Sequence, residues 1–188
     1  MVDLGEIQAA YYMVAATGVL VAAIYYVYNM RVSQRNMKAT LETRKLQLLT
    51  DFTDKLSNYD GALKTIELLN MQWKDYDDFE RKYGSDNNPH NCACRSEVGG
   101  YYNVLGALLR EKIVDPDTLY TLTGSDSIYL WSKMKEVIEY ARKNYFGVDY
   151  WRDFEYLAGE MLKIKLKRDP SFKVPESFIS YVPEKSTQ

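Results

Sequence analysis

Histidine and cysteine occur together at one place, in the run His90-Asn91-Cys92-Ala93-Cys94. A structural zinc ion takes four ligands, usually from paired cysteine and histidine motifs. The chain has one histidine and two cysteines in total, so ligands of these types are too few for a complete site. We therefore predict no metal and no cofactor, and keep His90, Cys92 and Cys94 as candidate ligands if carboxylates or a second subunit complete a site. The interpretation we favour is that both cysteines pack as small apolar residues at the start of a buried helix; a redox role stays open.

Acidic side chains are concentrated between Asp75 and Glu80. The glycine and the terminal glutamate of a calcium-binding EF-hand loop are missing from this stretch. The pattern favours a solvated helix face, with Asp75 at the helix N-terminus, where the helix dipole favours an acid. The single histidine follows Pro89, and no serine lies in a G-x-S-x-G motif. We predict no catalytic residue and no enzymatic activity.

Basic and apolar residues alternate from Lys163 to Arg168. Such a segment can contact anionic lipid, each cation contributing about 1 kcal/mol near the surface. The simpler interpretation is a solvated helix C-terminus, where cations are favourable. Nowhere does a long basic stripe with interleaved aromatic residues occur, so we predict no nucleic-acid partner.

The element that must position everything else is the uncharged stretch 7–30. A bilayer core of about 30 Å needs roughly 20 apolar helical residues to cross it. Tyrosine and arginine suit the two membrane interfaces, where a polar group reaches water. We predict a transmembrane helix over 7–30 with these interface residues: Tyr11, Tyr12, Tyr25, Tyr26, Tyr28, Arg31 and Arg35.

The charges flanking this helix predict its orientation. Asp3 and Glu6 precede it, and Arg31, Arg35 and Lys38 follow it. Lysine and arginine resist translocation, so we predict an N-terminus outside the cell membrane and a cytoplasmic C-terminal domain. A cleaved signal peptide is the alternative, but its start is normally positive and its apolar core shorter.

The rest of the chain predicts an all-α fold. No glycine or proline interrupts 31–50, and apolar residues recur at helical spacing, so the transmembrane helix should continue as a stalk helix. Turn signals then separate a small helical bundle into helices near 62–70, 71–84, 91–113, 116–122, 126–145 and 150–168. We predict a tail over 1–6, a transmembrane helix over 7–30, a stalk over 31–56, a bundle over 57–168 and an extended tail over 169–188.

Small residues in the transmembrane helix indicate a packing face. Ala15, Gly18 and Ala22 are spaced to lie near one another on one side of the helix, which allows close approach of another helix. We predict two kinds of partner: the lipid bilayer, and another membrane protein or a second copy of this chain bound through the transmembrane or stalk helix.

Several segments resemble a family of uncharacterised single-pass membrane proteins of archaea and bacteria with a C-terminal helical domain of unknown function. The resemblance covers about residues 10–162. It rests on A-A-I-Y-Y-V-Y-N-M-R at the end of the apolar stretch, M-Q-W-K-D-Y-D-D-F-E-R-K-Y-G at 71–84, N-V-L-G-A-L-L-R-E-K-I-V-D at 103–115, W-S-K-M-K-E-V-I-E at 131–139 and Y-W-R-D-F-E-Y-L-A-G-E-M at 150–161. These are packing positions, so the resemblance implies a membrane-anchored helical domain and no site residues.

These observations predict a membrane-anchored helical protein that acts as a scaffold or accessory subunit of a membrane-associated assembly. The alternative is a single-pass sensor or regulator in which the stalk couples the bilayer, or a membrane partner, to the cytoplasmic domain. An enzyme whose site has no recognisable motif would instead show perturbed carboxylates in a pocket.

Overall fold

The computed structural model describes residues 3–178 and is all-α across them, with no β-strand, which confirms the predicted fold class. A π-helical turn covers Arg142–Phe146, and a 3₁₀ turn covers Glu176–Phe178. The helices are α1 Leu4–Ser57, α2 Tyr59–Leu69, α3 Tyr76–Tyr83, α4 Pro89–Arg110, α5 Pro116–Thr123, α6 Asp126–Ala141 and α7 Arg152–Arg168. The chain divides into two compact units, one ending at Gln47 and one beginning at Leu48.

The first unit consists of most of α1, which is long and apolar enough to span a membrane. None of the side chains in its apolar window is buried. Val19 is 71 % exposed and Ile24 is 62 % exposed. The helix continues through Met30 without a break and ends at Ser57.

The bundle helices begin where short polar side chains cap them. Asn58, Asp75, Asn88 and Asp115 each accept a hydrogen bond from a backbone N–H in the first turn of α2, α3, α4 and α5. The cap of α2 is Asn58, so the helix predicted near 62–70 begins earlier, at Tyr59. Because Asp75 caps α3, the helix predicted over 71–84 begins only at Tyr76.

The core of the bundle forms mainly between α4 and α7. Tyr102 of α4 stacks on Phe154 of α7 with ring centroids 5.2 Å apart. Gly106 lies against the backbone of Asp153, so the two helices approach at a point where a side chain would not fit. The last turns of α1 also belong to this core, because Leu49 is 3 % exposed and Phe52 and Leu56 pack against the buried residues.

The glycine pair Gly99-Gly100 lies inside unbroken helix α4. Glycine is unfavourable inside a helix, by about 1 kcal/mol relative to alanine, and at one of the two positions the structure shows a close contact that requires it. A Cβ on Gly99 would come within 2.7 Å of the Trp151 ring, whereas a Cβ on Gly100 would meet nothing within 4 Å. Gly99 therefore makes room for an indole.

The chain after α7 returns to the bundle. Phe172 and Val174 pack against the core, and Phe178 stacks on Tyr129 with centroids 4.7 Å apart. The predicted extended tail thus contacts the bundle as far as Phe178, and residues 179–188 lie outside the described part of the chain.

Candidate functional site: an aromatic cleft

A cavity of about 420 Å³ opens in the bundle where α3, α4 and α6 meet the segment that precedes α7. We call it the aromatic cleft. An apolar lining with a few polar groups is typical of binding sites for small molecules and peptides. Its aromatic side chains are Tyr76 and Phe79 of α3 and Tyr145, Phe146, Tyr150 and Trp151 of the segment before α7; Arg95, Ser96 and Cys92 of α4 add polar groups.

Unusual backbone conformations hold in place the aromatic wall of the cleft, which consists of Tyr145, Phe146, Tyr150 and Trp151. α6 continues as the π-helical turn Arg142–Phe146, a conformation found often at functional sites. Gly147 follows with φ +77°, and Trp151 has φ +53°, which for a residue with a side chain costs of order 1–3 kcal/mol. Arg142 ties the wall together, since its Nε donates to the Tyr150 carbonyl at 2.8 Å and its Nη1 to Glu155 at 2.7 Å.

Some of the rings that line the cleft are stacked on other rings, and some are exposed to solvent. Tyr76 stacks on Tyr140 with centroids 3.5 Å apart, and Phe146 stacks on Tyr150 at 4.6 Å. Burial raises the pKa of Tyr76 and of Tyr150, so both hydroxyls stay neutral at physiological pH. Tyr145 and Phe146 remain 65 % and 64 % exposed, which leaves two large rings in solvent at the edge of the cleft.

Arg95 is the cation of the cleft. Its Nε donates to Asn91 Oδ1 at 3.0 Å, a second guanidinium nitrogen donates to the Tyr83 carbonyl, and the guanidinium lies 4.8 Å from the Phe79 ring centroid. Within residues 3–178 it makes no ion pair with a carboxylate. Burial lowers the pKa of Arg95, whereas the Glu80 carboxylate, which also lines the cleft, acts in the opposite direction. Because its guanidinium forms no ion pair in the described chain, Arg95 can pair with an anionic group of a ligand beside the aromatic surface.

The structure separates the three candidate metal ligands. His90 and Cys94, four residues apart on α4, meet Glu67 of α2, and their ligand atoms all lie within 4.8 Å of one another. Cys92 points elsewhere and lines the aromatic cleft. Cys94 is 2 % exposed, and burial raises the pKa of its thiol.

One acidic residue of α3 does not lie on a solvated face. Asp78 is 6 % exposed, accepts hydrogen bonds from Lys74 N at 3.1 Å and Lys82 Nζ at 2.7 Å, and also pairs with Arg81. The hydrogen bond from Lys82 lowers the pKa of Asp78 to about 2. The expectation of a solvated face was wrong here because Asp78 closes the loop before α3 back onto the helix.

The residues predicted to contact the membrane all lie on α1. Ala15, Gly18 and Ala22 are exposed, and a Cβ on Gly18 would meet nothing within 4 Å, so the predicted packing face is open. The predicted interface residues Tyr11, Tyr12, Tyr25, Tyr26, Tyr28, Arg31 and Arg35 are also exposed.

The basic segment 163–168 forms the end of α7. Lys163 pairs with Glu160, Lys165 lies over the Phe172 ring, and Arg168 lies over the Tyr120 ring. These partners fit the simpler interpretation, a helix C-terminus at the bundle surface.

Sequence reasoning missed Arg95, Glu67, Tyr145 and Phe146. Arg95 and Glu67 looked like ordinary polar residues of amphipathic helices, and only helix packing gives them their neighbours. Tyr145 and Phe146 did carry a signal, because two aromatic residues directly before a turn glycine are unusual for a solvated loop.

Comparison with known proteins adds a family and no activity. A family model described as "Domain of unknown function (DUF4760)" matches residues 13–161, most of the chain. No curated protein and no solved structure matches the chain. The match confirms the resemblance as far as a family of unknown function, so the cleft is interpreted from its own geometry.

Proposed function

The chain belongs to the DUF4760 family of unknown function, and we propose that it is a single-pass membrane protein whose bundle binds a partner protein of the same membrane. The observation that carries the proposal is the 7–30 stretch, which lacks charge and leaves its apolar side chains exposed along the helix. A helix of this kind is unfavourable in water and favourable in a bilayer. In this proposal the protein is an accessory or scaffold subunit of a membrane-associated assembly.

The bundle lies on the cytoplasmic side in this proposal. Arg31, Arg35 and Lys38 are spaced by four and three residues, which places them on one helix face just after the apolar stretch. They are exposed and make no ion pair within the described chain, so they are free to meet lipid phosphates. The charged side chains before the apolar stretch, Asp3 and Glu6, are both acidic.

The aromatic cleft supplies the binding surface for the partner. Its occupant would be a polypeptide segment that presents a carboxylate next to an aromatic or aliphatic side chain. The carboxylate would pair with Arg95, and the apolar side chain would cover Tyr145 and Phe146, rings of the kind enriched at protein interfaces. Another membrane helix, from the partner or a second copy, would pack on Ala15, Gly18 and Ala22.

Membrane insertion and orientation are tested first. We expect the protein to stay in the membrane pellet after alkaline carbonate extraction. A reporter that is active only in the cytoplasm should be active when fused to the C-terminus and inactive when fused to the N-terminus. Replacing Arg31, Arg35 and Lys38 together by glutamate should invert or mix the orientation. The matched control replaces the exposed bundle residues Lys112, Lys135 and Lys143 by glutamate and should leave the orientation unchanged. Extraction by carbonate would refute the anchor.

Cleft binding is tested on intact protein purified in mild detergent. Cys92 should be alkylated more slowly when a partner is bound, because the partner covers the cleft that the thiol lines. Phe146→Ser should lower partner recovery at least tenfold and remove the protection of Cys92. Tyr59→Ser, which changes an 81 % exposed ring on α2, is the control and should do neither. Equal recovery with both variants would refute the cleft as the binding surface.

The alternative function, a sensor or regulator, is favoured by the continuity of α1 from Leu4 to Ser57. It predicts that Leu41→Pro, which costs about 3 kcal/mol of helix stability, abolishes any response of Cys92 alkylation to bilayer thickness. Leu41→Ala keeps the helix and should keep the response. If wild-type Cys92 reacts at the same rate in thin and thick bilayers, the sensor hypothesis fails.

A further inference from the structure

Three side chains from two helices form a cluster outside the aromatic cleft. His90 and Cys94 lie one turn apart on α4, and Glu67 projects from the last turns of α2. Cys94 Sγ lies 3.6 Å from His90 Nε2, and that nitrogen lies 3.7 Å from Glu67 Oε2. Thiolate, imidazole and carboxylate are together a donor set typical of zinc sites.

Two of the three separations fit a single tetrahedral ion, and the third, between Cys94 and Glu67, is at most 4.8 Å. Zinc–sulfur and zinc–nitrogen bonds of about 2.3 Å and 2.05 Å at a tetrahedral angle place the two ligand atoms about 3.6 Å apart. This is the distance found between Cys94 and His90. Two nitrogen or oxygen ligands on the same ion would lie about 3.4 Å apart, so His90 and Glu67 need to approach by only a few tenths of an ångström.

A buried amide orients the carboxylate. Asn91 is 1 % exposed, and its Nδ2 donates to Glu67 Oε1 at 3.2 Å. Its Oδ1 accepts from Arg95 Nε at 3.0 Å, which fixes the amide in this orientation. The other carboxylate oxygen, Oε2, is thereby turned toward His90. Hydrogen bonds to the second oxygen of a ligating carboxylate are a regular feature of metal sites.

We propose that Glu67, His90 and Cys94 bind one divalent transition-metal ion of the zinc type, with the fourth position open to water. Of the three candidates named from the sequence, this set keeps His90 and Cys94 and omits Cys92, and Glu67 is the carboxylate that completes it. The open position follows from the side-chain exposure, because Glu67 and His90 face solvent while Cys94 lies beneath them.

The test is a titration of chelator-treated, full-length protein in detergent with Co²⁺ as the probe. We expect one equivalent to produce the sulfur-to-cobalt charge-transfer band and the visible bands of a tetrahedral site, and Zn²⁺ to bleach them. His90→Gln and Glu67→Gln change exposed residues, so folding should be unaffected, and each should weaken cobalt binding at least tenfold. Cys94→Ser should abolish the charge-transfer band. Cys92→Ser removes the other thiol and should leave the spectrum intact.

A second readout does not depend on cobalt spectroscopy. Excess Zn²⁺ should raise the unfolding temperature of wild-type protein and of Cys92→Ser, but not that of His90→Gln. The proposal is overturned if no tetrahedral cobalt spectrum forms at one equivalent. It is also overturned if the spectrum survives in His90→Gln or disappears in Cys92→Ser.

Discussion

The contact between α4 and α7 leaves no room for a side chain at Gly106. Gly106→Ala adds one methyl group at the closest approach of the two helices. The new Cβ would lie 2.5 Å from the carbonyl carbon of Asp153 and closer still to its oxygen. Both atoms belong to backbone, so neither can move aside by a change of rotamer.

The size of the effect follows from two opposing terms. Alanine is better than glycine in a helix interior by about 1 kcal/mol. Against this, the helices must separate by roughly 1 Å for a normal carbon–carbon contact, and overpacking of a core typically costs about 1–3 kcal/mol, occasionally more. Separation would also stretch the hydrogen bond from Phe154 N to Asn103 Oδ1, now 3.1 Å, and the ion pair of Arg110 with Asp153. We expect a net loss of about 2 kcal/mol.

The assay is urea unfolding of the full chain in detergent, followed by tryptophan fluorescence. Gly100→Ala is the matched control on the same helix, because its Cβ would meet no atom within 4 Å. It should stabilise the bundle by up to about 1 kcal/mol through helix propensity alone. The two glycines should therefore respond with opposite signs. Equal stabilisation by both substitutions would refute the close approach of α4 and α7 at Gly106.

Two further predictions concern buried charges. Lys133 is 1 % exposed, its Nζ lies 3.3 Å from the Ser177 carbonyl, and burial lowers its pKa. The folded state thus carries a penalty for the charge at neutral pH that is relieved as pH rises toward the ordinary pKa of 10.5. Lys133→Met should stabilise by about 1 kcal/mol at pH 7, and thermal unfolding should show that advantage shrinking by pH 10. For Asp78 the lowered pKa means that the charged form stabilises the folded state. This stability is complete above about pH 4 and is lost as pH falls toward 2. The Asp78→Asn variant should therefore unfold at a lower urea concentration than wild type at pH 6, and at the same urea concentration near pH 2. A difference that stays constant across this pH range would contradict a stabilising role of the Asp78 charge.

Local chemistry was enough to predict most helices of the bundle. Asp115-Pro116 starts α5 as expected, and Pro170 follows the end of α7. Where the structure differs from the prediction, tertiary contacts are the reason. Trp73 lies outside α3 yet packs edge-on against Phe79, with centroids 5.2 Å apart, because burial of the ring outweighs continuation of the helix. Trp151 adopts a left-handed conformation because its indole fills the space beside Gly99.

The candidate sites were less predictable than the helices. Sequence spacing placed His90 and Cys94 together, since residues four apart share a helix face. It also grouped them with Cys92, which helical geometry turns toward the opposite side. Glu67 lies more than twenty residues earlier in the chain, so only the packing of α2 on α4 shows that it belongs with them.

The last turns of α1 decide where this protein can be divided for laboratory production. A fragment starting at residue 57, the predicted edge of the bundle, would lack Leu49, Phe52 and Leu56 and leave their apolar neighbours uncovered. A fragment starting near Leu48 keeps the compact second unit whole. It also omits the entire apolar stretch, so it is the natural starting point for crystals and for solution NMR spectra without detergent.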